Sequence, residues 1–276
     1  MINRISVKTV DQLLKQARFR ESYKVLPHGK TFKDLSTAIV IPVPGNVREN
    51  KFLNCLKCKH KNEYERMTVN GLNPIVVESW KRMVKPMNVP IVEMLVAGYE
   101  VGDAYNNAIK SILDSPGLKG FKYLLTMEYD NIVPFIPNSG GPLMMLYECI
   151  EKGFDVAAGL YWTKGDPSMP LIFGNPKDKR KSQKGYFKVR TDWKTGDIVE
   201  CNGAGMGFTL FKMDLFRDSR ITEPWFKTVS ENTENSAQAF TQDLYFFQKI
   251  RAFGYRVCVD TRVRLGHIDF KTGRVY

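Results

Sequence analysis

The sequence predicts an α/β fold, with a mainly parallel central sheet flanked by helices. Two observations carry this. Short apolar runs alternate with helical segments over roughly the first 160 residues, and the runs stop at Pro, Gly or acidic turns. After Leu160 the texture changes to short strands, aromatics and basic turns, which predicts a smaller β element beside the sheet. The 276 residues suit one large or two small domains, at about 100–200 residues each. A hydrophobic content of 43% is enough for a core and excludes a wholly disordered chain.

Residues 1–36 are basic, and Val10, Leu13, Leu14 and Ala17 form a helical stripe across 9–21. They read as a helical extension ahead of a main domain at 37–276. Thr37–Pro42 is a buried strand stopped by Pro42, Pro44 and Gly45. A polar, helical segment follows to about residue 86. Pro90–Ala97 is the second strand, Gly98–Gly102 a turn, and Asp103 the N-cap of a helix over Ala104–Leu113. Phe121–Met127 is the third strand, and it ends in Glu128-Tyr129-Asp130-Asn131. A helix over 141–152, a strand at Asp155–Leu160, a helix over 242–253 opened by Asp243 and closed by Gly254, and a strand at Arg256–Asp260 complete the pattern.

Lys and Arg total 41 against 29 Asp and Glu, a net charge of +12. Such an excess suits nucleic acid, an anionic membrane surface or phosphorylated substrates; a solvated, lysine-rich surface explains it equally well. No apolar run approaches the roughly 18 residues of a membrane-spanning helix, and MINRISVKTVDQLLKQ has no signal-peptide core. A soluble, cytoplasmic protein is expected. Five widely spaced cysteines do not form a secreted disulfide framework. Cys55, Cys58 and His60 have the spacing of a zinc half-site, but no second cluster follows, and the same stretch reads as a short helix.

Ligands of parallel sheets sit beyond the carboxyl ends of the strands. That rule gathers Pro42–Asn46, Gly98–Asp103 and Glu128–Asn131 around one cleft. Glu128 and Asp130, two residues apart at a strand end, can approach one Mg²⁺ or Mn²⁺ whose remaining positions are filled by phosphate oxygens. A solvated turn is the alternative. Gly203-Ala204-Gly205-Met206-Gly207 would let a substrate approach the backbone. It is no dinucleotide fingerprint, because strand residues follow it rather than a helix. Lys177, Lys179, Arg180, Lys181, Lys184, Lys188 and Arg190, with Tyr186 and Phe187 between them, could meet phosphates and stack on bases, or could be a solvated hairpin.

Taken in order, Ile41-Pro42-Val43-Pro44, Glu128-Tyr129-Asp130, Asn202–Gly207, Thr241-Gln242-Asp243 and Gly266-His267 resemble the GT-A glycosyltransferases, similar to the family 2 type of bacteria and phages. The resemblance spans about residues 37–270. It implies a Rossmann-like GT-A domain at 37–276, a nucleotide-sugar donor (by default a UDP-sugar) and a divalent metal, Mn²⁺ or Mg²⁺. Glu128 and Asp130 match the DxD-like motif, with Glu in the first place, and His267 is a further ligand. Asp243 stands where the family carries its base, although the usual Glu-Asp pair is Gln242-Asp243 here. One base suffices for direct displacement with inversion. The helix-dipole reading of Asp243 stands beside this. The resemblance further assigns Pro42, Pro44, Asp103, Asn106, Asn107, Glu128 and Gly205 to the donor, and Trp162 and Trp225 to the acceptor side with Lys181, Lys184 and Arg190. Asn106-Asn107 replaces the family's Arg-Asn pair. Three functions remain open: glycosylation of a hydroxymethylated base in phage DNA, synthesis of a polysaccharide or glycolipid, and non-catalytic nucleic-acid binding on a transferase-like fold. Oligomeric state is not readable.

Overall fold

Thr37–Val43 is an interior strand of the sheet because every residue in it is apolar or can hide its one polar group, and all seven are buried. Alternate side chains enter opposite cores: Ala38 and Val40 on one face, Ile39, Ile41 and Val43 on the other. The computed structural model describes residues 34–43, 72–136, 140–178, 186–233 and 236–276. The helix expected over 9–21, Pro44, the Cys55/Cys58/His60 cluster, Lys181 and Lys184 lie outside the described residues.

In chain order the elements are β1 (Thr37–Val43), α1 (Pro74–Lys81), β2 (Ile91–Ala97), α2 (Val101–Asp114), β3 (Tyr123–Met127), β4 (Asn131–Ile132), α3 (Pro142–Glu151), β5 (Val156–Leu160), β6 (Ile172–Phe173), β7 (Ile198–Cys201), β8 (Gly203–Ala204), β9 (Phe208–Lys212), α4 (Asp214–Arg217), β10 (Val229–Thr233), β11 (Ser236–Phe240), α5 (Gln242–Ala252), β12 (Val257–Arg264) and β13 (Gly266–His267). Seven strands form the central sheet in the order β2-β1-β3-β9-β5-β12-β7. β1 pairs parallel with β2 and β3, and β5 parallel with β12. β9 runs antiparallel between β3 and β5, and β7 antiparallel on β12. The expected α/β architecture with a mainly parallel sheet is therefore present, with β9 and β7 reversed in it. Pro42 is tolerated in this interior strand because pairing with β3 ends at Val40, before the proline is reached.

The antiparallel β9 positions the site. Its first residue, Phe208, lies opposite Met127, the last of β3. The glycines before β9 therefore arrive at the same sheet edge as the residues after β3. β13 pairs with β4, setting His267 against Asn131. One core, under α2 and α5, contains Phe211, Phe216, Phe226, Phe246 and Phe247; the other lies under α3. Phe211 on the central strand is 5.8 Å from Phe246 and 6.3 Å from Phe247, ring centre to ring centre, so α5 is fixed to the sheet through aromatic contacts.

α2 begins differently from the expectation. Its N-cap is Glu100, whose carboxylate accepts from the N–H groups of Gly102 at 2.7 Å and Asp103 at 3.3 Å. Asp103 is an exposed first-turn residue, placed well for the helix dipole but capping nothing.

Candidate active site

Glu128 and Asp130 lie in a turn just past β3, closed by the Asn131 N–H on the Glu128 carbonyl at 3.1 Å. They are not consecutive same-face positions of a strand. Between them Tyr129 turns away, its ring 5.5 Å from Phe270. The Asn131 amide donates to Glu128 Oε2 at 3.3 Å and to Asp130 Oδ1 at 3.4 Å, tying the two carboxylates together.

The glycine segment serves this turn. A Cβ on Gly207 would lie 2.5–2.8 Å from the Asn131 amide, and one on Gly205 would lie 2.6 Å from Tyr161 Cζ. Their missing side chains are what allow Asn131 and Tyr161 to sit against the chain. Tyr161 follows β5, accepts from the Gly207 N–H at 3.0 Å and reaches Glu128 Oε2 at 3.5 Å. Gly205 thus shapes the site through Tyr161.

His267 arrives from the far side. Its Nε2 is 3.4 Å from Asp130 Oδ2, and its Nδ1 is 2.7 Å from the Trp162 carbonyl. A carbonyl can only accept, so Nδ1 carries a hydrogen. Nε2 is thereby left facing the Asp130 carboxylate. Lys164, three residues beyond Tyr161, places its ammonium on the same Asp130 oxygen.

The electrostatics divide the two carboxylates. Burial pushes Glu128 up to about 8, aided by the negative charges of Asp130 and Asp243. Burial also opposes ionisation of Asp130, but the hydrogen bonds from His267 and Lys164 outweigh it and hold that carboxyl below its usual range. Asp243 stands at the start of α5, where Gln242 packs against Gly102 and Leu244 against Gly203. Its Oδ1 accepts from the Leu244 N–H at 2.8 Å and from the Thr241 hydroxyl. It keeps some exposure, yet enough protein surrounds the carboxyl that desolvation raises its pKa.

Other expected site residues have different positions. Trp225 is 4% exposed, its ring packs on Phe216 and its indole donates to the Ile221 carbonyl at 3.2 Å, so it is core and cannot stack on an acceptor. Asn106 uses both ends of its amide on the Phe226 backbone, at 2.7 and 3.0 Å, so that it joins α2 to that segment. Asn107 is exposed on α2. Pro42 is within β1 and buried. Arg190 holds Asp192 through two 2.8 Å bonds and the Glu200 carbonyl at 2.6 Å; its guanidinium is committed to its own hairpin. Trp162 is part-buried and serves the site through its carbonyl. Lys164, Tyr161 and Asn131 were not expected as functional residues. Asn131 sits inside the expected strand-end motif, and Tyr161 and Lys164 follow β5, where the strand-end rule applied once more would have found them.

The overall arrangement matches solved structures. A197 from STIV superimposes with a TM-score of 0.50 at 18% identity, covering 87% of this chain and 92% of that one. The two chains share their α/β fold. Also similar are UDP-glucose pyrophosphorylase complexed with UDP-glucose (TM-score 0.44, 11% identity, 85% of this chain and 93% of that one) and GalNAc-T7 with UDP, GalNAc and Mn²⁺ (TM-score 0.45, 11%, 86% and 44%). No family model and no curated protein sequence matches the chain.

Among the described residues no three His, Cys, Asp or Glu side chains close around a point as a formed metal site. Asp130 and His267 nevertheless fit a divalent cation as donors: a carboxylate of lowered pKa facing an imidazole whose other nitrogen is fixed by a carbonyl. No helix among the described residues is long and apolar enough to cross a membrane.

Proposed function

We propose that this chain is a glycosyltransferase that moves a sugar from a nucleotide-sugar, a UDP-sugar, to a hydroxyl acceptor. The observation that carries the reading is the convergence of Glu128, Asp130 and His267 with the charge of Asp243, from three separate stretches of chain, at the carboxyl edge of a GT-A-like sheet. Asp130 and His267 would hold Mn²⁺ or Mg²⁺, which when bound offsets the charge of the departing diphosphate. Asp243 accepts the proton of the attacking hydroxyl; its raised pKa makes it a stronger base than an ordinary aspartate. Glu128, held toward its protonated form by burial and like charge, keeps a further negative charge away from the diphosphate. One base is consistent with a single inverting displacement.

The acceptor we favour is a hydroxymethylated pyrimidine in DNA, supported by the +12 charge and by exposed Lys177, Lys188 and Lys194. A glycolipid is the second reading. It is favoured by a cleft of about 490 Å³ between α1 and the segment after β4, lined by Ile75, Val133 and Phe135 together with Glu78, Ser79 and Arg82. The deciding experiment crosses a panel of sugar nucleotides with hydroxymethylated DNA, plain DNA and lipid-linked acceptors, with and without Mn²⁺. Sugar transfer only to hydroxymethylated DNA is expected, and transfer only to lipid moves the acceptor to that cleft. Neither hydrolysis nor binding of any donor leaves non-catalytic nucleic-acid binding in its place. Asp243→Asn should leave donor binding intact and lower transfer by about 100-fold or more; unchanged transfer removes it as the base.

A further inference from the structure

We propose that Lys164 is the resident cation of the acidic centre, and that a divalent metal binds there only by displacing it. This rests on the reading of Asp130 as a metal ligand. The Lys164 ammonium and the His267 Nε2 face the same oxygen, Asp130 Oδ2, with Nε2 at 3.4 Å. A metal shared by Asp130 and His267 needs that oxygen. An ammonium and a divalent ion in contact with one oxygen repel strongly, so the two occupancies exclude each other.

The surroundings allow the exchange. Asp130 is on the floor of the site with its side chain 10% exposed, whereas that of Lys164 is 31% exposed and comes in from the rim. Lys164 belongs to a loop closed by the Thr163 N–H on the Met169 carbonyl at 2.9 Å, outside the central sheet. Its four-carbon stem can carry the charge outward without moving a strand. The Phe270 ring, 6.0 Å from the ammonium, provides a second seat for it nearby. The lysine contact must be broken before a metal can use the oxygen, so metal affinity is lowered by the strength of that contact. Charge-assisted bonds at part-buried carboxylates are among the stronger ones.

The test is a titration of the full chain with Mn²⁺ alone, following free Mn²⁺ by electron paramagnetic resonance, for the wild type, Lys164→Met, Lys164→Arg and Asp130→Asn. Removing the charge with Lys164→Met should tighten Mn²⁺ binding roughly tenfold or more. Lys164→Arg, which keeps the charge, should bind as the wild type does, and Asp130→Asn should lose the site. Thermal melts establish that each variant is folded, and Lys164→Gln replaces the methionine variant if that one is not. Equal or weaker binding by the neutral variants, with binding still lost in Asp130→Asn, overturns the role of Lys164 and leaves the metal site standing. No Mn²⁺ bound by the wild type or by any variant overturns the metal reading, and this inference with it.

Discussion

Glu128 shows how one residue records the whole centre. Part-buried and within the fields of Asp130 and Asp243, it has a pKa raised from 4.5 to about 8. The folded state therefore holds a proton that the unfolded chain gives up. The associated stabilisation is complete below about pH 4.5 and is lost as the pH rises towards 8. Glu128→Gln keeps the shape and the acceptor oxygen for Asn131 without the charge. Between about pH 5 and pH 8 the wild-type melting temperature should fall more steeply than that of the variant. Parallel pH profiles would show that Glu128 is not the titrating group. Gly207 makes a second residue-scale case: Gly207→Ala drives a methyl into the Asn131 amide. A loss of roughly 1–3 kcal/mol in urea denaturation is expected, and an unaffected midpoint would mean that Asn131 can move aside.

At the scale of elements, the strands were legible because apolar runs such as Thr37–Val43 have few other uses. Helix ends were less so. Asp103 and Glu100 are both acidic and both near the start of α2, and local preference favours aspartate. The choice fell to Glu100 because the helix starts earlier, at Val101, where the bare Gly102 packs 3.3 Å from Gln242 Cβ and 3.5 Å from the Phe226 carbonyl, measured from the Cβ it lacks. Glu100→Ala should cost about 0.5–2 kcal/mol by chemical denaturation, and Asp103→Ala clearly less. The reverse order would restore Asp103 as the cap. The same contact accounts for Asn106: from one turn along α2 it clamps the Phe226 backbone, a partner 120 residues away that no local pattern announces.

Across the whole molecule, the proposed base Asp243 and the fold are joined through the aromatic core. Phe246 is fully buried and stacks on Phe216 at 5.2 Å and against Phe226 at 4.6 Å, three residues after Asp243. Phe246→Ala should lower stability by about 3–5 kcal/mol and should depress transfer as well, because the start of α5 loses its support. Calorimetry and an assay on the same sample check both, and a destabilised variant with full transfer would separate Asp243 from the core. Trp225 belongs here too: the family resemblance sets it on the acceptor side, but its neighbours Phe216 and Ile221 enclose it.

By itself the sequence determined the α/β class, the main strands and the positions of Glu128, Asp130 and Gly205–Gly207 at or near strand ends. These follow from periodicity and chain-breaking residues, which act over a few neighbours. The tertiary structure decided which of those positions meet. β9 runs backwards between β3 and β5, so its glycines reach Glu128; β13 pairs with β4, so His267 reaches Asp130. It also decided who occupies the centre. Lys164 and the Trp162 carbonyl lie over 30 residues from Asp130 and over 100 from His267 respectively, and at such separations contact is set by sheet order rather than by local pattern.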